Sequence, residues 1–162
     1  MHSSSYDLMG LMVEKYIAKI ETLSILEIGS ADYCGSYRKH FEKPNWDYKG
    51  ADIQTGKNVD IIYGSFDNWA INKRFDLVIS GQVMEHVKDL HRFAEQVKEV
   101  CNKYIIMIAP NRFDEHRYPV DCWRIFPDGM KYLFEERLKF KTLECSSRGP
   151  DTYYVGEING SF

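Results

Sequence analysis

The sequence predicts a doubly wound α/β domain, with a mostly parallel seven-stranded sheet carrying helices on both faces. Three observations lead there. Short, almost uninterrupted apolar runs alternate with segments of helical spacing, as expected of strands covered on both faces. No low-complexity tract, internal period or Pro/Gly/Ser-rich linker divides the chain. Its 162 residues suit one domain able to bury a real core without disulfide staples.

The elements follow in order. Residues 6–22 place Leu8, Met9, Met12, Val13, Tyr16, Ile17 and Ile20 at helical spacing, with Ser5 or Asp7 as N-cap. A first strand, Ser24–Ile28, ends at Gly29, and residues 35–43 read as a helix closed by Pro44. Tyr48–Asp52 and Val59–Tyr63 are the second and third strands, Phe75–Ser80 the fourth and Tyr104–Ala109 the fifth. Between the last two, residues 89–101 form a helix with Leu90, Phe93, Val97 and Val100 on one face. A helix from Asp128 to Glu136 and two strands, Leu138–Cys145 and Thr152–Ile158, complete the domain. In such a sheet the crossovers are right-handed and ligands gather at the C-terminal strand ends.

Composition narrows the function. A hydrophobic share of 44% and a charged share of 28% argue against a disordered chain. Twenty-one Lys and Arg against twenty-four Asp and Glu give a net charge of −3, so no nucleic acid or anionic lipid partner is expected. No apolar run approaches the ~20 residues of a bilayer span, and Met1–Ser5 do not begin a signal peptide, so no membrane partner is expected either. Cys34, Cys101, Cys122 and Cys145 are spread without a CxxC pair, as reduced thiols of a cytoplasmic protein would be. The sequence specifies no oligomeric state.

The strand ends carry the chemistry. Gly29 after Leu26-Glu27-Ile28 permits a sharp turn and a close approach of backbone to ligand. Asp52 ends the second strand, where an acid can accept hydrogen bonds from two ribose hydroxyls. Together they indicate a nucleoside-containing cofactor. No GxGxxG follows, and Gly35 is not followed by Lys-Ser/Thr, so neither a dinucleotide nor a nucleoside triphosphate cradle is present. The lack of a diphosphate cradle favours a cofactor without phosphates and points to S-adenosylmethionine.

Over nearly its whole length the chain resembles a class I S-adenosylmethionine-dependent methyltransferase. The resemblance rests on Leu26-Glu27-Ile28-Gly29-Ser30, Tyr48-Lys49-Gly50-Ala51-Asp52 and the run Phe75 to Val87, whose Glu85-His86-Val87 turn is typical of the small-molecule branch. It implies that Glu27 orients the methionine amine and that Gly29 and Ser30 face the cofactor through their backbone. Asp52 would hold the ribose, with Ile53 on the adenine. Gly64, Ser65 and Phe66 would close the far side of the base, and Gly81 and Gln82 would border the methionyl part. The family's E-x-G-x-G-x-G turn is reduced to Gly29, and Asp32-Tyr33-Cys34-Gly35-Ser36 is similar to a subgroup that shapes this turn differently.

An oxygen or nitrogen acceptor that carries a proton needs a base, and His86, at the turn after the fourth strand, is the first candidate. The alternative is that His86 only fixes its turn. His40 and His91 lie on helices and are expected to be exposed. Residues 111–127 follow the fifth strand, and a connection this long reads as a lid or binding loop. Within it the resemblance places His116, Tyr118 and Arg124 over the substrate. A structural role is the alternative, with Asp121 and Arg124 paired at i,i+3 and Trp123 and Phe126 sealing the sheet edge. His116 and Asp121 are ligand types, yet no second cluster joins them at metal spacing, so no metal site is expected. The expected activity is methyl transfer to an oxygen or nitrogen of a small molecule. A methyltransferase-like binding subunit without activity is the alternative, and a nicotinamide-dependent oxidoreductase a weaker one.

Overall fold

The computed structural model describes residues 3–33, 35–66, 68, 69 and 71–158. Met1, His2 and Cys34 therefore lie outside the described residues. The strands are β1 (Leu23–Ile28), β2 (Trp46–Asp52), β3 (Ile61–Ile62), β4 (Gly64–Ser65), β5 (Asn68–Trp69), β6 (Phe75–Gly81), β7 (Cys101–Pro110), β8 (Phe140–Arg148) and β9 (Asp151–Ile158). Seven of them form one sheet in the order β3-β2-β1-β6-β7-β9-β8, and β4 and β5 make a small separate hairpin. β9 runs antiparallel to both neighbours, while the other pairings are parallel.

The period of two along each strand divides the core into two layers. Leu23 and Ile25 of β1, Leu77 and Ile79 of β6, and Ile106 and Ile108 of β7 face one layer, completed by Leu8, Met9 and Met12 of helix α1 (Ser3–Met12). Leu26, Ile28, Val78, Ile105 and Met107 face the other, where Phe93 and Val97 of helix α2 (Leu90–Val100) pack. Met130 of helix α3 (Pro127–Lys131) and Phe134 of the wide-turn extension Tyr132–Arg137 fill the rest of that layer. The predicted seven-stranded α/β sheet is thus the observed one. Asp89 caps α2 by accepting the Arg92 amide at 3.0 Å.

The differences lie at element ends. The first helix starts at Ser3 and, after Met12, widens into a π turn over Val13–Ile17, ending before residue 22. Beyond it the Ile20 carbonyl accepts the ring N–H of Trp46 at 3.0 Å, a tertiary bond that draws the chain out of the helix. The helix expected over 35–43 is a single 3-10 segment, Tyr37–Phe41, capped by Ser36. Five residues are too few for an α-helix to repay its nucleation, and Tyr37 and Phe41, each 2% exposed, fix both ends against the sheet. His40 is half-buried, its ring 4.1 Å from that of Tyr6, so it is not the exposed histidine the sequence suggests; His91 is exposed. The third strand contracts to two residues, and just before it the exposed Asp60 accepts the Gly50 amide at 2.8 Å.

Candidate active site

The chain order reverses between β1, which leads to β2 and β3, and β6, which leads to β7. The crevice at the C-terminal ends of β1 and β6 is the natural ligand site of this architecture. Two glycines shape it. Gly29 has φ +77, and a Cβ there would fall 2.1 Å from Val83 Cγ2. At Gly81 a Cβ would fall 2.3 Å from the Tyr37 hydroxyl. Only glycine lets the two strand ends sit this close to their neighbours.

The turn after β1 is held from within. The Ala51 carbonyl accepts the amides of both Gly29 (2.9 Å) and Ser30 (3.0 Å). These N–H groups therefore do not face the crevice as the resemblance implies, because the backbone ladder already uses them. Asp52, 7% exposed, accepts the Ala31 amide at 2.9 Å and the Ile53 amide at 2.7 Å, so its carboxylate braces the turn that other sequences build with glycines. Asp32 accepts the Gly35 amide at 2.8 Å, which ties the next residues down.

Asn58 is a site residue the sequence reading missed. With φ 70, it reaches across the turn, donating to the Ser30 carbonyl at 2.9 Å and to Glu27 Oε2 at 3.3 Å. Arg38 anchors it by donating to its side-chain oxygen and, at 2.7 Å, to Asp60. Nothing in the sequence marks Asn58, because its left-handed φ cannot be read from residue type alone. Glu27 is 3% exposed, and burial holds its carboxyl well above the usual range. A cavity of about 820 Å³ opens beside Arg38, Asn58 and Asp32; it borders the turn but does not reach Gly81 or His86.

Of the remaining nucleoside-side residues, Ile53 and Phe66 are partly buried against the core, whereas Gly64 and Ser65 are exposed in the small hairpin. Across the crevice, Gln82 has φ 60, a strained value for a non-glycine residue, and donates to Asp151 at 2.8 Å. Its Oε1 is buried without a donor, as is the Tyr63 hydroxyl near β2.

Residues 84–86 form a 3-10 turn that carries Glu85 inward and His86 toward the loop after β7. His86 Nδ1 lies 2.6 Å from the Val120 carbonyl. A carbonyl only accepts, so Nδ1 carries the proton and Nε2 keeps its lone pair. Burial holds His86 below its ordinary pKa. His116 is arranged the same way, with Nδ1 3.1 Å from the Asp114 carbonyl. The two rings meet edge to face with centroids 5.0 Å apart. Both Nε2 atoms point at Glu85 Oε1, from 3.7 Å (His86) and 3.8 Å (His116). Glu85 is 0% exposed, neither of its oxygens receives a hydrogen bond from another residue, and burial pushes its carboxyl up to about 8. The sequence reading had Glu85 only as part of a motif.

The loop is a braced structure. Arg124 donates to both Asp121 oxygens (2.5 and 2.8 Å) and to the carbonyls of Phe113, Asp114 and Trp123. All five of its N–H groups are thereby used inside the loop, so it has none left for a substrate, and the i,i+3 pairing reading is the observed one. The Arg124 guanidinium holds the Asp121 carboxyl well below the usual range. Trp123 is 42% exposed and Phe126 58% exposed, so neither seals the sheet edge; Trp123 is pinned by its ring N–H to the Val87 carbonyl at 2.7 Å. Tyr118, after which a cis peptide leads to Pro119, is exposed and faces Tyr33 of the β1 turn, with ring centroids 5.8 Å apart.

The sequence matches no protein-family model and no curated protein. Solved structures do match the fold. A CurJ carbon methyltransferase superposes with a TM-score of 0.70 at 14% identity, over 96% of this chain and 54% of its own. An S-adenosylmethionine-dependent methyltransferase from Aquifex aeolicus gives 0.67 at 13%, over 98% and 99%. Magnesium protoporphyrin IX methyltransferase from Synechocystis, with bound S-adenosylhomocysteine, gives 0.68 at 12%, over 95% and 82%. The fold is that of class I methyltransferases. This chain spans about half the length of the CurJ enzyme and essentially all of the Aquifex one.

Proposed function

We propose that the protein transfers a methyl group from S-adenosylmethionine to an oxygen or nitrogen of a small molecule in the cytoplasm. The observation that carries this reading is the crevice between β1 and β6, with Gly29 and Asp52 at its edge, in a sheet shared with structures of such enzymes. The residues fit the cofactor: Gln82 Oε1, just past the C-terminal end of β6, is a buried polar atom that no donor reaches. Glu27 would hold the amine, Asp52 the ribose, Ile53, Gly64, Ser65 and Phe66 the base, and Gly81 and Gln82 the methionyl chain. Gly29 and Ser30 contribute by leaving room. When bound, the cofactor supplies a methyl group activated by a positive sulfur.

His86 is the base in this reading. Its Nδ1–H is fixed by Val120, so Nε2 can take a proton from an acceptor held in line with the methyl group. His116 and Tyr118 would line the acceptor side, and Arg124 keeps the loop in shape behind them. The net charge of −3 and the absence, among the described residues, of a helix long and apolar enough to cross a membrane agree with a small diffusible substrate.

Calorimetric titration with S-adenosylmethionine, S-adenosylhomocysteine and NAD is the test. Binding of the first two and not the third is expected. Binding of none would favour a methyltransferase-like subunit without activity, a reading to which the internally bonded amides of Gly29 and Ser30 lend weight. Binding of NAD alone would favour an oxidoreductase.

A further inference from the structure

From Glu85, His86 and His116 we infer a binding site for one divalent transition-metal ion of the zinc and cobalt class, contrary to the sequence expectation of no metal. Each residue offers one atom, and the three atoms lie within 4.8 Å of one another. Glu85 Oε1 stands 3.7 and 3.8 Å from the two Nε2 atoms. Ligand atoms at tetrahedral spacing around a cation with bonds of ~2.1 Å are about 3.4 Å apart, so small side-chain movements would bring all three into coordination.

Three further features point to a cation. Glu85 is fully buried and neither of its oxygens receives a hydrogen bond from another residue, an arrangement that is costly unless a hydrogen-bond partner or a cation completes it. Both histidines donate their Nδ1–H to a carbonyl, Val120 for His86 and Asp114 for His116. Such bonds fix the tautomer that presents Nε2 to a metal. Asp121, whose Oδ2 lies 3.6 Å from His116 Nδ1 on the other side of the ring from Nε2, is engaged by Arg124 and by the His116 amide and would shape the site without coordinating. Two imidazoles and one carboxylate suit zinc, cobalt or iron(II) better than magnesium or calcium, which prefer all-oxygen sites.

Three protein ligands leave a coordination position open, and the His116 ring, 33% exposed, gives access to it. The use of that position rests on the methyltransferase reading. With the ion bound, His86 Nε2 is coordinated, and an acceptor hydroxyl on the cation loses its proton to solvent instead of to imidazole. The oxygen lone pair then forms the O–C bond as the C–S bond breaks onto sulfur, giving a methyl ether, a thioether and one released proton. A hydroxyl or phenol would be preferred to an amine as acceptor.

The experiment is titration of tag-free, chelator-treated protein with Co²⁺, read by its visible absorption, and with Zn²⁺ by calorimetry. One ion per chain is expected. His116→Ala and Glu85→Gln should each weaken binding by on the order of 100-fold or more, since loss of an outer partner alone costs ~10–100-fold. His91→Ala, which removes an exposed histidine on α2, should change nothing. Stoichiometric binding that survives both His116→Ala and Glu85→Gln would overturn the site, as would no binding by the wild type. If Glu85→Gln fails to fold, the loop variant His116→Ala decides. S-adenosylhomocysteine affinity measured on the same samples separates the two readings: cofactor binding without metal sinks only the metal site, and metal binding without cofactor sinks only the methyltransferase.

Discussion

The Val120 carbonyl accepts the Nδ1–H of His86 at 2.6 Å, a bond that joins the loop after β7 to the turn after β6. Two more bonds run alongside it. The Cys122 amide donates to the Glu85 carbonyl at 2.7 Å, and the Trp123 ring N–H to the Val87 carbonyl at 2.7 Å. The loop thus orients His86 and brings His116 onto Glu85 at once. Damage to the loop should therefore reach the polar cluster before it reaches the cofactor crevice, whose braces lie in β1 and β2.

Arg124→Ala tests that order. The Asp121 side chain is 2% exposed, and removing its partner leaves a buried charge unpaired, at a cost of about 3–5 kcal/mol. Because the pair braces one loop, local opening should absorb most of that cost. Amide exchange at residues 112–125 is expected to quicken, with S-adenosylhomocysteine affinity unchanged. Unchanged exchange in this loop would show that the brace is unimportant.

Asp52 has the opposite profile. It would accept two ribose hydroxyls worth on the order of 2–3 kcal/mol, while also bracing the β1 turn through the Ala31 amide. Asp52→Ala should weaken S-adenosylhomocysteine binding roughly 30- to 100-fold by calorimetry. Asp52→Asn keeps one acceptor oxygen and should lose less. Equal affinity of both variants and the wild type would remove Asp52 from the site.

The parts legible in the sequence were those set by local pattern. β1, β6, β7 and α2 are buried runs or one-sided helices, and the structure keeps them within a residue or a few. Gly29, Asp52 and the Glu85-His86 turn stand at strand ends, where the sequence places them. What failed was set by distant partners. Tyr37 and Phe41 turn the expected helix into one 3-10 segment through contacts with the sheet. The resemblance places Arg124 over the substrate, whereas Asp121 and carbonyls up to eleven residues away use its donors. That His116 meets Glu85 depends on the loop doubling back, which no spacing in the chain encodes.

Gly29→Ala and Gly149→Ala form a matched pair. Both glycines have positive φ, +77 and +59, but an added Cβ meets Val83 at 2.1 Å in the first and nothing within 4 Å in the second. The backbone penalty of ~1–2 kcal/mol is common to both, and overpacking adds ~1–3 kcal/mol only at Gly29. Melting should fall by about 5–15 °C for Gly29→Ala and by about 2–6 °C for Gly149→Ala. Similar shifts would mean that Val83 gives way and that the crevice is looser than the packing implies.

Glu144 should make stability depend on acid. It accepts Lys15 at 2.7 Å and the hydroxyls of Tyr16 and Tyr153 at 2.6 Å each, tying the first helix to the antiparallel edge of the sheet. These donors, Lys15 first, pull its carboxyl down from 4.5 to about 2. A depressed folded value means that its stabilising contribution is complete above the unfolded value and is lost as pH falls from about 4.5 to about 2. The exposed Lys15 is screened, so the effect is smaller than the shift alone suggests. Urea unfolding of wild type and Glu144→Gln at several pH values should show a gap near neutrality that closes on acidification. A gap that stays constant with pH would mean that the tie acts by packing and not by charge.

The loop after β7 is fastened at both ends and exposed at its tip. Asn111 and Arg112 are bonded to Pro150, Cys122 to Glu85 and Ile125 to Pro110, so both ends are fastened to the body. Between them Phe113, Asp114, Glu115, Arg117 and Tyr118 are exposed, and the Tyr118 ring faces the exposed Tyr33 ring across the crevice mouth. Admission of a substrate needs this contact to open, whereas exclusion of water needs it to close. Amide exchange should therefore be slow at Cys122 and Ile125, near the rate of β7, and at His116, whose amide Asp121 accepts at 2.7 Å, and fast at Glu115 and Arg117. Adding S-adenosylhomocysteine should slow the tip, because a filled crevice gives the Tyr33 and Tyr118 rings a surface to settle on. A tip as slow as β7 with and without ligand would make the whole loop a rigid wall, and His116 and Tyr118 would then shape the pocket without gating it.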